Sequence, residues 1–119
     1  MSDTVRKTLA IVLAGISGTL VNSAAAAAVL GGDKFLPFAL SPGRHAVAIA
    51  VAALIPLSFV LLDGAAALGL AGVMLTVVPS VLAKMIFGSG APWTLVLLLN
   101  LVYAVTAIVV YRLVSGSRA

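Results

Sequence analysis

The sequence predicts an all-α integral membrane protein, a bundle of four antiparallel transmembrane helices, and three observations carry that prediction. Of its 119 residues, 63% are hydrophobic and only 8% are charged, against roughly 25% charged in soluble domains. Mean hydropathy is +1.29, more apolar surface than a water-soluble fold of this size could bury. The apolar residues also fall into four runs, each close to the roughly 20 residues a helix needs to cross the hydrocarbon core. A single membrane domain over 1–119 follows.

The first run, residues 8–30, contains no charge and reads as a full span. Arg6, Lys7 and the alanine tract from Ala24 to Ala28 also resemble the parts of a secretory signal. The apolar stretch is longer than such signals use, however, so a membrane helix is the better reading. Residues 46–62 form a run of minimal length interrupted by Pro56 and Ser58, which predicts a short or kinked span. Residues 65–87 contain Pro79, with Lys84 close enough to the end to extend toward the headgroups. Residues 93–114 open on Trp93 and close on Tyr111 and Arg112, residue types that anchor helices at membrane interfaces.

The connections differ in kind. Asp63-Gly64 leaves room only for a tight turn, so the second and third helices must be antiparallel neighbours. Residues 88–92 form a similar short turn. Residues 31–45 are longer and mix the breakers Gly31-Gly32 and Ser41-Pro42-Gly43 with an apolar stretch, predicting a segment lying along the interface. No internal repeat is visible.

Orientation follows from Lys and Arg counts. Arg6, Lys7, Arg112 and Arg118 stand on the side of the termini, against Lys34, Arg44 and Lys84 on the other. That bias favours termini in the cytoplasm of a plasma or bacterial inner membrane, and is slight enough to permit both orientations.

Because lipid tails are as apolar as leucine, membrane helices meet through small residues and hydrogen bonds. Gly15, Gly18 and Asn22 recur at helical spacing in the first span, and Gly69, Gly72, Thr76 and Ser80 in the third. Gly15, Gly18, Gly69 and Gly72 are the predicted packing positions. At about 1.5 Å per residue, Asn22, Ser80 and Asn100 fall at one depth, roughly 21 Å from the side of the termini. They form a predicted polar layer, either glue between helices or the lining of a solute pathway. Pro79 beside Ser80 has no backbone N–H and so frees a carbonyl one turn earlier. Lys34, Arg44, His45 and Lys84 make a basic edge suited to an anionic headgroup or to ordinary interface anchoring.

Several chemistries lack their residues. There is no cysteine, no glutamate, one histidine and three aspartates, so neither a metal site nor a general acid–base pair is readily built, and neither enzyme activity nor a cofactor is expected. No carboxylate or histidine falls mid-span, which argues against coupling to protons or cations. The basic residues are scattered at run edges, unlike a nucleic-acid-binding face. Small multidrug transporters share the size but carry a glutamate in their first helix, where this chain has Gly, Ser, Thr and Asn. The stretch Gly18-Thr19-Leu20-Val21-Asn22 resembles a Gly-Thr-Leu…Asn segment of fluoride channels, whose phenylalanine- and threonine-rich third-helix motif is absent; the chain is assigned to neither family.

The expectation is a non-enzymatic membrane protein acting as a homo-oligomer or as an accessory subunit of a larger complex, in contact with lipids. The alternative is a small uncoupled transporter or channel passing the Asn22, Ser80 and Asn100 layer.

Overall fold

The computed structural model describes residues 2–86 and 88–116. Phe87, where the third predicted run ends, and Arg118, used in the charge count, lie outside them. Helix α1 spans Asp3–Leu30, α2 Phe35–Ala39, α3 Pro42–Ala52, α4 Leu54–Leu61, α5 Gly64–Val81 and α6 Trp93–Ser115. A 3₁₀ turn over Gly32–Lys34 leads into α2, and a π-helical turn over Leu82–Ile86 extends α5. There is no strand among the described residues.

Among the described residues four stretches are long and apolar enough to cross a membrane: Asp3–Leu30, Pro42–Leu61, Gly64–Ile86 and Trp93–Ser115. The molecule is 40 Å long, matching the roughly 40–45 Å of a bilayer with its headgroups. Its inside and outside are sorted as a membrane demands. The buried positions are dominated by Ala10, Ala14, Ala52, Ala67, Ala71, Ala104 and Ala107, while Val60 is 80% and Leu113 76% exposed. Water would penalise such an exterior; hydrocarbon does not. The chain is a small polytopic membrane protein.

Each boundary has a local cause. The Ser2 hydroxyl accepts from the Val5 amide and caps α1, carrying the helix through Arg6 and Lys7 below the apolar run. Ser41 accepts from the Arg44 amide, and Pro42 occupies the first helical position, where its missing N–H costs nothing. The second span therefore begins at Pro42, four residues before the apolar run, and puts Arg44 and His45 inside its first turn. Near Ala53 that span breaks into α3 and α4; Pro56 can offer no amide to the Ala52 carbonyl. Gly64 turns the chain from α4 into α5 with φ +56°, a conformation few side chains tolerate.

Around the bundle, α1 packs on α6, α6 on α5, α5 on α4, and α3 back on α1. Gly15 and Gly18 make the closest approaches. A Cβ at Gly15 would sit 2.6 Å from the Ile49 Cα, and one at Gly18 would sit 2.5 Å from the Tyr103 ring. Gly69 and Gly72 are different, with open space where their side chains would be. The inward face of α5 is instead Ala67, Ala71, Leu75 and Ser80.

Candidate functional site

The two central spans are held together near their turn and separate toward the opposite end. There α3 rises from the break at Ala53, and α5 passes Pro79 into its π-helical turn. Between them, above α1 and α6, lies a cavity of about 650 Å³, within the size range of small-molecule sites. Its walls are mainly apolar, including Leu30, Phe38, Val47, Leu82 and Val96. Its polar groups are few and converge from three spans and one connection: Thr19 and Asn22 from α1, Ser41 and Arg44 from the start of the second, Ser89 from the connection after the third, and Asn100 and Tyr103 from α6.

Two hydrogen-bonded pairs organise the polar part. The Asn22 amide nitrogen donates to the Leu99 carbonyl at 2.7 Å, and its oxygen accepts from Arg44 Nη2 at 2.5 Å. The Asn100 amide donates to Ser80 Oγ at 2.9 Å, and that hydroxyl donates to the Thr76 carbonyl. Asn22 thus engages α6 one residue before Asn100, at the shared level inferred from helix rise. The structure brings the three residues to one height as two separate pairs rather than as a continuous layer.

A third contact fixes the floor. The Tyr103 hydroxyl donates to the Ala48 carbonyl at 2.5 Å while its ring lies on Gly18. The fourth, second and first spans therefore meet at one node, and only a glycine at position 18 leaves room for the ring.

The four basic residues separate in role. Lys34 is exposed, and the 3₁₀ turn keeps it away from the cavity. His45 Nε2 faces the Ala39 carbonyl at 2.6 Å and ties the start of α3 to the end of α2. Lys84 donates to the Ala91 carbonyl and lies over the Trp93 ring, closing the turn between the third and fourth spans. Only Arg44 enters the cavity. Its guanidinium sits 4.6 Å from the centre of the Phe38 ring, and its Nε is buried without a hydrogen-bond partner. Among the described residues no carboxylate pairs with it.

That inward turn escaped sequence reasoning, which placed Arg44 on an interfacial edge. The available signal was Ser41-Pro42, a helix-start pair that moves Arg44 from a loop into the first turn of a span. Compared with protein-family models, curated proteins and solved structures, the chain matches none of them.

Proposed function

We propose that this protein is a small uncoupled membrane transporter that binds a small solute in the cavity between its second and third spans. The observation that carries the reading is the convergence of Arg44, Asn22 and Asn100 on an otherwise apolar cavity at membrane depth. Polar and charged side chains in that setting are expensive unless they face a pathway or a partner. The third span is also interrupted beside the cavity, at the π-helical turn, and the second span is interrupted below the cavity, near Ala53. Broken helices around a midplane site are a recurrent architecture among transporters, and such interruptions are natural hinges.

The test is efflux from proteoliposomes loaded with radiolabelled benzoate or glycerol. Protein-dependent release of at least one probe is expected, abolished by Ala83→Trp, whose ring obstructs the cavity. Release of both at the rate of protein-free liposomes would remove transport of small solutes as the function.

A second reading, a homo-oligomer or accessory subunit with the termini in the cytoplasm, draws on one feature of α5. Gly69 and Gly72 face outward beside exposed Val73 and Val77, where another helix could approach closely. Sizing in mild detergent tests it: a monomer at every concentration, with no protein retained from native membranes, counts against it.

A further inference from the structure

We infer that the cavity selects an amphipathic monoanion, with a carboxylate or phosphate head held at Arg44 and an apolar body lying against Phe38, Val47 and Leu82. This rests on the cavity being a solute site and specifies the chemistry of the solute.

Asn22 lies eight residues before the end of α1, roughly 12 Å below it at the helical rise of 1.5 Å per residue. A long basic side chain near a helix end ordinarily extends outward to water. Arg44 does the reverse and reaches in to Asn22. An arginine is permanently charged and carries five N–H donors. Here Asn22 takes one of them, the Phe38 ring offers its face, and the buried Nε is left unpaired. Neither neighbour carries a negative charge, so the guanidinium retains a full uncompensated charge within a largely apolar wall. Arg44 is half-buried, and a partly desolvated cation without a counter-charge is costly until an anion joins it; a planar guanidinium is suited to two-point binding of carboxylate or phosphate.

Arg44 is the one cation among the residues lining the cavity; Lys84 is engaged with Ala91 and Trp93, and His45 with Ala39. One positive charge matches one negative charge. The volume of about 650 Å³ far exceeds an inorganic ion and suits a drug-sized organic molecule. The remaining lining is mostly aliphatic, which selects against a solute that is polar throughout.

The experiment measures binding of dodecanoate, dodecanol and dodecylamine to the full chain in phosphatidylcholine nanodiscs, read by the fluorescence of Trp93, the single tryptophan. Dodecanoate is expected to bind at least about tenfold more tightly than dodecanol, the effect of a charge-assisted hydrogen bond. Arg44→Gln removes that preference without weakening dodecanol, whereas Arg44→Lys retains part of it should the glutamine variant not fold. The same head chemistry could come from the membrane itself. Retention of phosphatidylglycerol by the wild-type chain in native mass spectrometry, with loss of dodecanoate binding in nanodiscs containing that lipid, would identify a lipid as the source. Equal binding of all three probes, each lost with Ala83→Phe, which narrows the cavity without adding a second tryptophan, overturns the anion selectivity and leaves the cavity site standing. No binding of any probe or lipid overturns both.

Discussion

The two halves of this molecule are built from the same four helices and similar residues, yet they pack in opposite ways. Toward the termini, Ala10, Ala14, Ala52, Ile55, Ala71, Leu75, Ala104, Ala107 and Tyr111 are wholly buried. Toward the other end the second and third spans part around a cavity of about 650 Å³, and a charged side chain, Arg44, turns inward there. The difference comes from three local interruptions: Pro56 with the break at Ala53, Pro79, and the π-helical turn at Leu82–Ile86. Small residues let straight helices close on one another; broken helices next to polar groups hold them apart. One half is a clamp and the other a receptacle.

Substitutions in the two halves should have graded consequences. Gly15→Leu should be the most damaging, because its side chain would enter the Ile49 backbone of α3. A loss of about 3 kcal/mol is expected, visible as failure to fold in detergent by circular dichroism. The same enlargement tried in each half gives the sharpest contrast. Ala71→Leu overpacks a fully buried position and should cost about 2 kcal/mol, whereas Ala83→Leu projects into the cavity and should stay within about 0.5 kcal/mol. Thermal unfolding of the two variants, measured side by side, checks both values, and equal destabilisation would erase the distinction.

Within the receptacle, Asn22→Leu removes the hydrogen-bond partner of Arg44 and is expected to lower stability by about 1–2 kcal/mol in the absence of ligand. Addition of dodecanoate should recover part of that loss by giving the guanidinium another partner. The smallest effect belongs to Asn100→Leu. It breaks one bond, to a Ser80 hydroxyl that retains the Thr76 carbonyl, and about 0.6 kcal/mol is the expected change in unfolding free energy.

Much of this architecture was legible in the sequence because its causes are short-range or one-dimensional. Runs of apolar residues against bilayer thickness identify the spans, Asp63-Gly64 dictates the hairpin, and counting residues places Asn22 and Asn100 at one height. Gly15 and Gly18 could be read as contact positions from their spacing beside Asn22. Gly69 and Gly72 have the same spacing but face away from the bundle, because glycine looks alike in sequence whether another helix or lipid lies beside it. The alanines that do face inward on α5, Ala67 and Ala71, carry no polar neighbour to betray them. Arg44 was misplaced for a different reason. A four-bond side chain at a helix end can point to water or into the bundle, and its direction is decided by Asn22, twenty-two residues earlier in the chain, a partnership that no local pattern encodes. The cavity was illegible for the same reason, being a consequence of two helix breaks meeting in space.

The contrast between halves has a direct test, since the chain contains no cysteine. Single cysteines at Ala83 in the cavity and at Ala71 in the clamp can be exposed, in proteoliposomes, to a small water-soluble maleimide on either side of the membrane. Ala83→Cys should react from the side opposite the termini and be protected by dodecanoate, while Ala71→Cys should remain unlabelled from both. Labelling of Ala71→Cys as fast as Ala83→Cys, or an Ala83→Cys that never reacts, would contradict a cavity open beside a closed core.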